Sequence, residues 1–147
     1  MALTRFPMYF EYFARTFRID ETPDGGMVGY LYNWRTGGFD PRTDLIDRVL
    51  FDMGHPEIST LSARDFADET ERNRMRDLRG DGPIFALYDT IRGVYAQAKA
   101  EGRRLTEQEA DLAHALRQRT FRMWEEDFAR QAAGEPSSLN YRYDPNG

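Results

Sequence analysis

The chain has no cysteine, two histidines and one lysine among its twenty basic residues. Without cysteine there is no disulfide, no thiolate metal site and no cysteine nucleophile, and either redox compartment is compatible. No run approaches the ~18 consecutive apolar residues of a membrane span. Met1-Ala2-Leu3-Thr4-Arg5 does not begin the charged-then-apolar pattern of a secretion leader. The resulting expectation is a cytoplasmic protein with no membrane partner. Surplus positive charge is also lacking: the net charge is −5, which argues against a nucleic-acid partner, because phosphate neutralisation needs clustered cations. Only residues 61–105, with nine basic against eight acidic groups, escape the acidic balance.

What remains is the composition of a globular domain. The 147 residues, 40% hydrophobic and 31% charged, are enough for one self-sufficient core. A single domain over residues 1–133 is expected. Residues 134–147, which lack periodicity, form a tail that is either flexible or docked through Leu139, Tyr141 and Tyr143.

The strongest pattern runs from Pro83 to Ala133. Ile84, Leu87, Tyr88, Ile91, Val94, Tyr95 and Ala98 recur at three- and four-residue steps, the mark of one buried helical face. Pro83 suits the first helical turn, where a missing N–H costs nothing, and Gly102 suits the end. Thr106 and Glu109 form a capping box that starts a second, antiparallel helix. On it, Leu112, Leu116, Thr120 and Met123 adjoin a second stripe of Phe121, Trp124 and Phe128. That arc is wider than one partner helix can hide, so either the rest of the chain or a second copy covers it; monomer and homodimer both stay open.

Upstream, Thr22-Pro23-Asp24-Gly25-Gly26 is a turn signal. The alternation of Val28, Tyr30, Tyr32 and Trp34 after it favours a strand. A β-hairpin over about Tyr12 to Trp34 is expected. The aromatic stretch before it, Phe6 to Phe17, fits helix and strand equally. Asp40 followed by Pro41 reads as a helix start, with Leu45, Ile46, Val49 and Leu50 as the buried stripe. Ser62 and Asp65 start another helix, whose body between Ala67 and Arg79 is almost all charged and is expected to lie at the periphery. The fold class is therefore α+β, mostly helical: an N-terminal β-hairpin on a bundle of about four helices around a central antiparallel pair.

Chemistry-bearing patterns are sparse. Asp52…His55 and Asp111…His114 are both Asp-x-x-His, a spacing that can place two ligands on one helical face. The first straddles the glycine that stops its helix, and His114 falls on the polar side of its own. Such short motifs recur by chance, so no metal site and no cofactor is expected. No serine sits in a nucleophile elbow, and neither glycine pair matches a phosphate-binding loop. Arg72, Arg74, Arg76 and Arg79 could meet an anion, but the interleaved acids favour a solvated face. Asp127 falls on the apolar side of its helix near Leu116, Thr120 and Met123. It either pairs with an arginine or a tyrosine hydroxyl, lies where the helix end opens to solvent, or is a perturbed acid in a pocket.

Two functions follow as expectations. The first is a non-enzymatic, acidic protein-interaction module of the adaptor, inhibitor or toxin-neutralising kind, with another protein as partner. Its contact residues would be Tyr32, Trp34, Arg35 and Phe39, on a glycine-containing loop between two framed elements. Against this, the strand alternation would bury Trp34 in the core. The second is a small helical-bundle enzyme or ligand- or metal-binding protein centred on Asp127, the tyrosines and His114.

Overall fold

The computed structural model describes residues 5–52 and 54–146; residues 1–4, on which the leader reading rests, and Met53, inside the first Asp-x-x-His, lie outside them. The ambiguous aromatic stretch is extended. β1 (Met8–Tyr12) turns back into β2 (Arg15–Glu21) through Phe13 and Ala14, both at positive φ (48° and 64°). Two such residues make the tight mirror-image turn that fits the twist of a hairpin, here without the usual Asn or Gly. β2 pairs with β3 (Met27–Tyr32) across the Thr22–Gly26 turn, so the expected hairpin exists, as the middle of a larger sheet. Five antiparallel strands run in the order β4-β3-β2-β1-β5, with β4 (Phe39–Pro41) and β5 (Ile58–Leu61) at the edges.

Asp40 and Pro41 do not start a helix. They lie on the edge strand β4, where an absent N–H is as harmless as in a first helical turn. The helix begins later, through a tight turn over Thr43–Leu45 that runs into the short α1 (Ile46–Phe51). Its Leu45, Ile46 and Val49 close one face of the sheet over Phe10, Phe17, Ile19, Leu31 and Ile58.

The opposite face carries α2 (Ala63–Asp77), capped by Ser62 as its sequence implies. This helix is not peripheral. It buries Phe66, Ala67, Thr70, Glu71, Asn73, Arg74 and Asp77 between the sheet and the helices behind it. Glu71, Arg74 and Asp77 are paired inside the protein while Arg64, Asp65, Arg72 and Arg76 stay exposed, a division that a count of apolar residues cannot detect. β6 (Leu78–Asp81) then leads into α3 (Pro83–Ala100), and α4 (Glu107–Ala132) begins at the Thr106 capping box. The tail returns as β7 (Asn140–Tyr143), antiparallel to β6, with Leu139, Tyr141 and Tyr143 packed on the cluster of Leu78, Ile84, Phe85, Tyr88, Ile91, Ala113 and Trp124. Trp124 is fully covered within the chain. The class is α+β, and among the described residues no helix is long and apolar enough to cross a membrane.

Candidate functional site: the tip of the β3–β4 hairpin

β3 and β4 are joined by residues 33–38, and the tip is stiff for local reasons. The Asn33 amide donates to Asp40 Oδ2 (2.8 Å), and its carbonyl side receives the Arg35 N–H (2.9 Å). The Asn33 N–H donates to the Gly38 carbonyl, and the Gly37 N–H to the Asn33 carbonyl, both at 2.8 Å. Gly37 adopts φ +72°, and a Cβ there would stand 2.7 Å from Leu78 Cδ1, so only glycine fits.

Two contacts tie this tip to the interior. Arg74 Nε donates to the Gly37 carbonyl (2.8 Å), and the Tyr141 hydroxyl of the tail donates to the Thr36 carbonyl (2.6 Å). Arg74 is itself fully buried, paired with Glu71 at 2.8 Å and lying 4.8 Å from the Trp124 ring centroid. The tip is thus held from beneath by the core.

Of the four expected contact residues, two face outward. Trp34 is 37% exposed, beyond the end of β3, so the alternation that would bury it stops at Tyr32. Arg35 is exposed beside it. Tyr32 is 1% exposed and donates its hydroxyl to Asp77 (3.1 Å); burial and the Asp77 charge push its ionisation far up. Phe39 is half-buried, stacked on Phe66 at 5.5 Å. These two support the tip and are not its contact surface.

Sequence reasoning missed Arg15. Its guanidinium lies 4.4 Å over the Trp34 ring, and with Asn33, Arg35, Asp40 and Arg42 it lines a cavity of about 340 Å³. The signal was available in the strand register. Phe17 pairs with Leu31, so Arg15, two residues back, stands beside the start of the loop. Burial, with the neighbouring Arg42 charge, lowers the Arg15 pKa. Arg42 is tied to Asp44 (2.9 Å), whereas Arg15 and Arg35 join no ion pair among the described residues. The arrangement is an aromatic platform flanked by Arg15, Arg35 and Arg42, with the Asp40 carboxylate beside them, on an acidic body.

The remaining candidates go elsewhere. Asp127 is fully buried and binds the tail: the Ser138 N–H and hydroxyl donate to Oδ1 (2.9 and 2.7 Å), and the Ser137 hydroxyl and Gln131 amide to Oδ2 (2.8 and 2.7 Å). Burial opposes its charge, but these donors outweigh burial and hold the carboxyl well below the usual range. It is a satisfied anchor, with Arg130 added at 3.3 Å, and not an acid raised for proton transfer. His114 is 13 residues away on α4, about 20 Å along the helix, so the two do not form one centre. His114 Nδ1 meets Asp68 (2.7 Å) and links α4 to α2, while His55 Nδ1 accepts the Glu57 N–H (3.1 Å) in its turn. Among the described residues no three His, Asp or Glu side chains form a cluster that could hold a metal. Of the four α2-region arginines, Arg74 turns into the core, and Arg72, Arg76 and Arg79 line a cleft on the far side of the molecule's helices. Comparison with family models, curated proteins and solved structures returned no match to this chain.

Proposed function

We propose that the protein is a non-enzymatic interaction module that grips an acidic segment of another protein through the hairpin tip. The observation that carries this reading is the Arg15–Trp34 stack, a partly exposed ring with a guanidinium on its face and Arg35 at its edge. Tryptophan and arginine dominate binding hot spots because they join large contact area to a polar handle. Their rigid mounting lowers the entropy lost on association, since the tip does not have to be ordered by its partner. Two guanidiniums outside any ion pair select for carboxylates, which a planar donor fork binds in pairs.

The test is an array of acidic, neutral and basic peptides, followed by NMR mapping of the best binder. Acidic peptides with an apolar residue should perturb Arg15 and residues 33–42. Trp34→Ala and Arg35→Ala should each weaken binding by about 2 kcal/mol, with the fold intact. Binding that maps elsewhere, or that persists unchanged in both variants, would refute the reading.

A further inference from the structure

α2, α3 and α4 border a cleft of about 390 Å³ on whose walls stand five of the chain's twenty basic residues. Arg72 and Arg76 come from α2, Arg79 from β6, Arg92 from α3 and Arg117 from α4. Met75, Ile91 and Tyr95 supply an apolar part.

Four of these arginines have partners in the fold. Arg72 pairs with Glu69 (3.5 Å) and Arg76 with Asp77 (2.9 Å). Arg79 and Arg92 both donate to the Met75 carbonyl (2.8 and 2.6 Å) at the end of α2, where cations suit the helix dipole. Asp144 and Asp89 stand by them at 3.7 and 3.1 Å.

Arg117 is different. It is 4% exposed, its Nη2 donates to the Tyr95 hydroxyl (2.6 Å), and its Nε has no partner among the described residues. Among the described residues no carboxylate pairs with it. A guanidinium stays protonated in proteins, so burying one without a counter-charge is costly, and the Tyr95 ring, 5.6 Å away, offsets only part of that cost. An anion bound in the cleft removes that penalty.

We infer that the cleft binds a small organic phosphate, its phosphate set against Arg117 and its body laid on Met75 and the exposed Tyr95 ring. The class follows from the donors. A single carboxylate would balance Arg117 alone, whereas a phosphate dianion also draws on Arg72 and Arg76, whose partly exposed side chains can turn toward it. The volume matches a small molecule with an apolar part.

Titration calorimetry on the full chain, with inorganic phosphate and adenosine 5′-monophosphate as probes, tests this. The nucleotide should bind, more tightly than inorganic phosphate, and more weakly as salt rises. Arg117→Met, which keeps the volume and removes the charge, should lose affinity by about tenfold or more. Without ligand it should unfold no more readily than the wild type. Arg72→Gln together with Arg76→Gln, on the exposed side of α2, should fold normally and weaken the nucleotide several-fold. That double variant decides the matter should Arg117→Met fail to fold. No heat from either probe at millimolar concentration, inorganic phosphate bound as tightly as the nucleotide, or affinity unchanged in the variants would overturn the proposal.

Discussion

Beneath α1, the rings and branched chains of Phe10, Phe17, Ile19, Leu31 and Val49 form a cluster of apolar side chains alone. Across the sheet, the cluster of α3 and α4 is wired. The Trp124 indole donates to the Tyr88 hydroxyl (2.7 Å), Tyr88 donates to Glu71 (2.7 Å), and Glu71 holds Arg74 (2.8 Å). One terminal nitrogen of Arg74 has no acceptor, and the aromatic faces around that guanidinium are its compensation. The first cluster tolerates any apolar set that fills its volume, whereas the second requires particular partners in particular places.

The sharpest way to break this contrast is a pair of truncations. Phe17→Ala, at a fully buried site, should cost about 3–5 kcal/mol through cavity formation. Glu71→Leu should cost about as much for another reason, because it strands the buried Arg74 charge. Adding Arg74→Met to Glu71→Leu should recover a large part of the loss, because it removes the stranded charge. Urea titration of these variants and of Arg74→Met alone, four in all, checks both claims; a double variant as costly as the sum of its singles would mean that the pair is not coupled.

A smaller effect separates the clusters by pH. Asp127 clamps the tail over the wired cluster, and its folded pKa is depressed. Its stabilisation is therefore complete above the ordinary carboxylate range near 4 and drains away as pH falls toward the lower folded value. Glu71 acts in the opposite sense, since burial raises its pKa against the pull of Arg74, Thr120 and Tyr88. Asp127→Ala should cost about 2 kcal/mol at neutral pH and flatten the acid limb of the stability curve. Thermal scans between about pH 5 and 2 should show this flattening, with no such change in a Phe17 variant.

The smallest expected effect has the opposite sign. Ala14 sits at φ 64°, where an L side chain is disfavoured by about 1 kcal/mol relative to glycine. Ala14→Gly should stabilise the sheet side by up to about that amount, and a loss of stability on urea titration would show that the Ala14 methyl contributes more than its strain.

These sites also explain what was legible in the chain. The caps at Ser62 and Thr106 could be read because their partners lie three residues away. The β2–β3 turn carried its own glycines, whereas Phe13-Ala14 carries none, and the first hairpin stayed ambiguous. α2 was misplaced because the Glu71–Arg74 pair, three residues apart, reads like a surface ion pair, and the groups that complete its buried hydrogen bonding are remote: Tyr88 is 17 residues from Glu71, and Gly37 is 37 from Arg74. Trp34 was legible as a candidate, but the Arg15 that completes it lies on another strand. Asp127 was correctly placed on a buried face, yet the serines that satisfy it sit in a tail without periodicity. Local chemistry is written locally; whether a local charge pair is buried is written far away.

The Tyr141–Thr36 bond, spanning 105 residues, has a kinetic consequence. Strands β1 to β4 each pair with their chain neighbour, and such low-separation contacts form early. β6 and β7 can pair only after both intervening helices have taken shape, so their closure belongs to the last stage of assembly. Until then, the Thr36 carbonyl lacks its tyrosine and the tip has one tether fewer to the rest of the fold. In refolding followed by pulsed hydrogen exchange, amides of the sheet should therefore gain protection before those of residues 33–38. A chain cut before Leu139 should retain the sheet and exchange the amides of residues 33–38 faster than the full chain does, so the last strand to form completes the mounting of the hairpin tip.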